Sequence, residues 1–339
     1  RGASTGCLNS NRLHMTDIWQ DKTQLGESKM QDNRTAALRA GSWRRDFRRN
    51  GSLYLMVLPV VIFYFIFNYM PMYGIMMSFQ DFSPRLGISG SDWVGFAQFK
   101  RFLTSPDFPR VFGNTVKISF STLLFGFPAP IIFALLLNEM ANGGLKKTVQ
   151  TLSYLPHFIS LVVICGMIKI FVANDGIIGS LFAKLSGDNS SLLMQANKFV
   201  PIYVISNIWA TLGWDSIIYL AALSSVDPQL YEAAEIDGAG RFRKMISVTL
   251  PAISTTIITM LILRLGNVMN VGYEKIILLY NPLIYDTSDV ISSYVYRMGF
   301  EEQNWSYSAA VGFFNSIINL ILLIVTNTIS KKAADTSLW

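Results

Sequence analysis

Long apolar runs alternate with polar segments along most of the chain. Six runs approach or exceed the roughly 20 residues that a helix needs to cross a bilayer's hydrocarbon core: 53–79, 115–137, 154–172, 200–223, 251–269 and 309–329. The pattern predicts an all-α fold, a polytopic membrane bundle of six transmembrane helices. The first run is longer than one crossing needs. The fourth is the most polar, with Asn207, Thr211 and Asp215 inside it. No signal peptide is expected, because the first run is too long for an h-region and no small-residue cleavage site follows it. Residues 1–42 have no apolar period and are rich in Ser, Asn, Gln, Asp and Arg, so a disordered tail is expected there. Met15 and Met30 stand within that stretch, which leaves open how much of it belongs to the natural product.

Composition agrees with a lipid-embedded chain. Of 339 residues, 51% are hydrophobic and only 15% charged, against about 25% charged in a typical soluble domain. Mean hydropathy is +0.36. These values exclude a disordered, collagen-like or disulfide-scaffold chain. With two cysteines and two histidines, the sequence also argues against a disulfide framework or a Cys/His metal site. A net charge of +6 would point to nucleic acid in a soluble protein. In a membrane chain Lys and Arg set orientation instead, and no nucleic-acid partner is expected.

The charges are unevenly placed. Arg44, Arg45, Arg48 and Arg49 precede the first run, Lys146-Lys147 follow the second, Arg241, Arg243 and Lys244 follow the fourth, and Lys331-Lys332 follow the last. The alternate connections hold Arg85, Lys100, Arg101, Arg110, Lys184, Lys198, Lys275 and Arg297, spread over longer segments. The first set is about twice as dense, which places both termini in the cytoplasm.

The connection 224–251 falls on that cytoplasmic side and is far longer than a chain reversal needs. Asp227 can cap a helix whose first residue is Pro228. The run 229–236 then carries a small apolar face of Leu230, Ala233, Ala234 and Ile236, beside Glu232 and Glu235. Gly238 is a natural stop, since it tolerates the left-handed conformation that ends helices. A second helix, 241–249, leads to Pro251 and the fifth run. Helix physics alone fits an interfacial elbow whose basic residues meet anionic lipid.

The residues also resemble a known signature. Glu232-Ala233-Ala234, Asp237-Gly238-Ala239, then Val248 and Leu250-Pro251 are similar to the cytoplasmic "EAA" loop of permease subunits of binding-protein-dependent ABC importers. Position 248 departs mildly, since Ile is usual there. The segments SFQDFSP (78–84), FGFPAPIIFALLLNE (125–139), YLPHFIS (154–160), GWDSIIYLAAL (213–223), LLYNPLIYDT (278–287) and the final SLW resemble the branch that imports complex sugars. The likeness covers roughly 43–339.

The resemblance implies an importer core over 111–332, preceded by a basic flank, first transmembrane helix and outer loop over 43–110, and followed by a C-terminal tail, 333–339. It implies residence in the bacterial cytoplasmic membrane. It also implies a second homologous permease, two ATPase subunits, an extracytoplasmic solute-binding protein and a sugar or oligosaccharide substrate. Glu232, Ala233, Ala234, Asp237, Gly238, Ala239, Leu250 and Pro251 then form the loop that grips an ATPase. No cofactor is expected in this chain. GISGSDW (87–93) and NGGLKKT (142–148) lack the spacing of a phosphate loop, so ATP and Mg would sit on the partner ATPase.

The solute path is drawn from polar residues within the runs. Lys117 and Lys169 lie near outer ends, where long side chains snorkel. Asp215 and Arg264 are deeper, where charge is costly and faces protein or water. Asn207, Thr211 and Asp215 recur at four-residue intervals on one helix face, and Arg264 and Asn267 share a face of the fifth run. Two readings stand: these stripes line a cavity, or Asp215 and Arg264 form an ion pair that ties two helices. Trp209, Trp214, Tyr219 and Tyr273 suit stacking on sugar rings, yet Trp and Tyr also form interfacial belts. Alternatives are an ABC permease for another solute, a secondary transporter, an intramembrane enzyme and a membrane assembly factor. No visible internal repeat supports the secondary transporter, and no second acid accompanies Asp215 in a run to support the enzyme.

Overall fold

The computed structural model describes residues 49–141, 143–188 and 190–334. The expected disordered tail, most of the basic flank and the final SLW lie outside them. The chain divides into two units, Arg1–Tyr73 and Gly74–Trp339.

The first unit holds α1, Gly51–Tyr64, which continues through a π-helical turn, Phe65–Tyr69. It is apolar on every side and buries no residue. A helix hydrophobic all round has lipid or protein as its surroundings.

The second unit is almost wholly helical. Its single β element among the described residues is a two-residue antiparallel ladder pairing Gln80 with Trp93 and Asp81 with Asp92. The principal helices are α2 (Asp107–Gly126), α3 (Pro128–Asn138), α4 (Gly143–Tyr154), α5 (Leu161–Val172), α6 (Ala196–Ser224), α7 (Pro228–Ile236), α8 (Ser254–Leu265), α9 (Tyr273–Leu279) and α10 (Trp305–Ala334). The 29-residue α6 is central, packing on α2, α3 and α4. At Gly213 it crosses α4 so closely that a Cβ would stand 2.3 Å from the Ser153 carbonyl oxygen, so only glycine fits.

Among the described residues, four helices are long and apolar enough to cross a membrane: Gly51–Phe79, Asp107–Asn138, Leu161–Ser186 and Trp305–Lys332. A fifth arises if Arg241–Ala252 and Ser254–Leu265, bent by 61°, count as one. Helix α6 has the length, but Asn207, Trp209, Thr211, Trp214 and Asp215 dilute its apolarity. The third apolar run starts later than expected. Pro156 interrupts it, so Leu155–Phe158 forms a separate 3₁₀ turn and α5 begins after Ser160, whose side chain accepts from the Val163 amide at 3.5 Å.

Candidate functional site

The loop after α6 follows its capping chemistry. The Asp227 side chain accepts from the Gln229 amide at 2.9 Å, Pro228 opens α7, and Gly238 ends it with φ +76°. That sign of φ strains any residue with a Cβ. Beyond Gly238 the expected second helix 241–249 is not uniform. Arg241–Lys244 is α-helical, and Met245–Thr249 is a π-helical turn. Two contacts tie this stretch back to α7. The Tyr231 hydroxyl lies 3.2 Å from Thr249 Oγ1, and Lys244 Nζ pairs with Glu235 at 3.0 Å.

Of the predicted loop residues, Glu232, Ala233, Asp237, Gly238 and Pro251 are exposed, while Ala234, Ala239 and Leu250 are half-buried. Leu250 packs on a core cluster that includes Leu135, Tyr219 and Ile253. Among the described residues little covers the apolar face expected on α7: Ala234 is half-buried, but Leu230 is 50% and Ile236 88% exposed, and Phe242 after the turn is 71% exposed.

Above the loop the polar residues of α6 meet the end of α8. A cavity of about 500 Å³ is lined by Asn207, Thr211 and Asp215 from α6 and by Arg264, Asn267 and Tyr273. A second, of about 440 Å³, is lined by Trp214, Asp215, Tyr219, Arg264 and Asn267, opposite Pro130 of α3. The eight predicted path residues thus line one or both cavities, and Asp215, Arg264 and Asn267 belong to both. Asp215 and Arg264 are not among the direct ion pairs of the described residues, which are Arg110–Asp107, Arg110–Asp289, Arg297–Asp289 and Lys244–Glu235. Trp209 turns elsewhere, onto an apolar cavity of about 360 Å³ beside Met167 and Phe171.

The wall of the larger cavity is a break in the chain. After α8 the backbone is non-helical over 266–272. Backbone groups outside a helix need other hydrogen-bond partners when buried, and here neighbours supply them. Asn319 Oδ1 of α10 accepts from the Met269 amide at 3.1 Å, Ser119 Oγ of α2 donates to the Val268 carbonyl at 2.6 Å, and Ser292 Oγ donates to the Val271 carbonyl at 2.6 Å. Asn315 and Asn319 both donate to Asn270 Oδ1, at 2.8 and 3.0 Å.

Lys275, by its position in the chain simply one of the connection cations, is also part of this wall. It is 5% exposed, donates to the Tyr203 carbonyl at 3.1 Å, and lines the larger cavity next to Glu274. Burial pushes its ammonium down to about 8. With Asp215, Glu274, Arg264 and Lys275, the cavity has two acids and two bases along its wall.

Farther along, Asp289 is fully buried. It accepts from Arg297 at 2.7 and 3.3 Å and from Ser293 Oγ at 2.8 Å, and it pairs with Arg110 at 3.3 Å. Asn114 Nδ2 donates to its carbonyl at 3.0 Å. This knot fastens the segment before α10 onto α2.

With this geometry in place, comparison with known proteins is direct. Residues 126–335 match the family described as the binding-protein-dependent transport system inner membrane component. The chain is 44% identical to Protein LplB of Bacillus subtilis, over 86% of this chain and 92% of that protein. It is 42% identical to the polygalacturonan/rhamnogalacturonan transport system permease protein YteP of the same organism, over 85% and 90%. A solved bacterial alginate ABC transporter, in complex with an alginate pentasaccharide-bound periplasmic protein, superposes with a TM-score of 0.79 at 40% identity, covering 87% of this chain and 99% of that one. The chain belongs to the family of binding-protein-dependent transport system inner membrane components.

Proposed function

We propose that this chain is one of two permease halves of an ATP-driven importer that receives an oligosaccharide from an extracytoplasmic binding protein. Family membership makes the chain a multi-pass transport subunit of a bacterial cell membrane, not an enzyme. The carbohydrate reading is supported by relatives named for polygalacturonan/rhamnogalacturonan and arabinooligosaccharides, and by the alginate transporter.

In this reading the chain crosses the membrane six times. Helix α6 is the fourth crossing and the bent pair ending in α8 is the fifth. Both termini and the loop 224–251 lie in the cytoplasm. The loop docks on one of two ATPase subunits, which bind ATP and Mg. Small Ala233 and Ala234 admit a close helix approach, and exposed Glu232 offers a carboxylate to a basic partner. Closure of the ATPase pair pushes the loop, and Leu250-Pro251 carry the push into α8. The cavity wall then moves, giving alternating access.

The observation that carries the proposal is mechanical continuity. Helix α8 is entered from the exposed loop and ends in the break that lines the polar cavity. The test is ATPase activity of the complex reconstituted with its binding protein, across a panel of neutral and acidic oligosaccharides. Stimulation by one class of sugar is expected. Stimulation by none of them, with an active ATPase, sinks the carbohydrate reading.

A further inference from the structure

We propose that Tyr273, Tyr296, Phe300 and Trp305 form an aromatic track on which the pyranose faces of an oligosaccharide slide toward the larger cavity. The inference rests on the oligosaccharide reading above and adds to it a binding surface outside the cavity.

The four rings form a continuous file. Tyr273 lines the larger cavity at the start of α9 and is 42% exposed. Tyr296 stacks on it with centroids 5.9 Å apart and planes 23° apart. Phe300 stacks on Tyr296 at 5.2 Å and 29°, and Trp305 meets Phe300 edge-on at 5.9 Å. Each step is about as long as one sugar ring. Tyr296 is stacked between Tyr273 and Phe300 and holds them in line, so the open surface of the file is chiefly that of Tyr273 and Phe300, and an apolar C–H face packs well against an aromatic ring.

The exposure is sided. In the same segment Tyr294 is 3% exposed and Tyr307 2%, and both pack in a core cluster with Phe102. Phe300, by contrast, is 67% exposed. It sits on a π-helical turn, Arg297–Glu301, a feature that concentrates at functional sites. Arg297, at the start of that turn, is held by buried Asp289, so the platform is fixed from beneath. Exposed acids stand next to two of the rings in the chain: Glu274 follows Tyr273, and Glu301 and Glu302 follow Phe300. A ring with an apolar face and hydroxyl edges matches that pairing. An acyl chain does not, because it would desolvate the carboxylates. The file also ends on a polar cavity, which a lipid-facing belt has no reason to do.

The experiment uses the whole complex in liposomes with its binding protein, and follows uptake of tri-galacturonate and of maltotriose. The variants are Tyr296→Leu, Phe300→Leu, the double change, and Phe300→Trp. The double change should lower uptake about tenfold or more, as expected for two lost ring contacts. The second permease and the ATPases should still co-purify with it, and Phe300→Trp should transport like the parent. If the parent imports a trisaccharide and the double variant keeps pace, the track is wrong while the carbohydrate reading stands. If the double variant loses the second permease, the rings belong to a subunit interface and the track is again wrong. If the parent imports neither sugar while its ATPase is active, the carbohydrate reading fails first and takes the track with it.

Discussion

The two ends of α8 are built in opposite ways. At the loop end, the helix meets Arg241–Ala252 at a 61° bend. Two side-chain contacts brace the approach to that bend, Tyr231 with Thr249 and Glu235 with Lys244, and the second is on the surface. Around them Leu230, Ile236 and Phe242 are uncovered. At the cavity end, three other segments hold the broken backbone through Asn319, Ser119 and Ser292. At the bend itself Ile253 is buried in a cluster with Leu250, Leu135 and Tyr219, so the lightly held part is α7 and the chain to Lys244 ahead of the bend, the arm of the proposed lever. The difference says which end a partner can move.

Breaking the pinned side should do the most damage. Asp289 satisfies Arg110 and Arg297 in a buried knot at the turn from which Ser292 reaches Val271. Asp289→Ala leaves the Arg297 guanidinium without its carboxylate, while Arg110 keeps Asp107; removing one partner of a comparable buried pair costs about 3–5 kcal/mol. We expect a large drop in the thermal unfolding temperature of the purified complex. An unchanged unfolding temperature would mean that the knot does not hold this region.

The free end should behave otherwise. Glu232 is exposed, so Glu232→Ala should change stability by no more than about 0.5 kcal/mol. Its proposed bond to an ATPase is charge-assisted and worth about 1.5–3 kcal/mol, so uptake should fall by about ten- to a hundredfold. The readout is transport against unfolding temperature in the same preparation. If both fall together, or neither falls, the contrast between the two ends is lost.

A change at the cavity wall should lie between these cases. Asn319→Leu removes the acceptor of the Met269 amide and one donor to Asn270. An unsatisfied buried amide costs about 1–3 kcal/mol. Because Asn270 lines the larger cavity, the KM for solute should rise with only a modest change in unfolding temperature. A pure loss of stability with an unaltered KM would detach Asn319 from the path.

The same contrast explains what could be read in advance. The loop end is local chemistry: Asp227, Pro228 and Gly238 act within a few residues of themselves, and their capping and stop appear as expected. The stripe of Asn207, Thr211 and Asp215 was legible because four-residue spacing alone puts them on one face. The pinned end was hidden. Its bonds join Met269 to Asn319, Val268 to Ser119 and Val271 to Ser292, residues far apart in the chain. Nothing local marks Asn319 as a partner for a broken helix. Lys275 was hidden for a related reason: its burial depends on Tyr203 of α6. The apolar residues on either side of Pro156 masked the turn it makes.

The finest test of the lever is a single oxygen atom. Tyr231→Phe deletes the hydroxyl that faces Thr249 Oγ1 and leaves the ring in place. Thr249 is 1% exposed and has the Lys244 carbonyl within 3.5 Å, so its own hydroxyl finds another acceptor. The net cost should therefore be small, about 0.5–1.5 kcal/mol, and the ATPase should stay bound, since Glu232 and its neighbours are untouched. A looser brace lets α7 move without carrying the π-helical turn and α8 with it. The number of solute molecules imported per ATP hydrolysed should then fall by a few-fold while the ATP hydrolysis rate holds. If the ratio stays at the parent value, the push reaches α8 through the main chain at Leu250-Pro251 alone. Lys244→Ala, which removes the surface pair with Glu235, should then be equally silent.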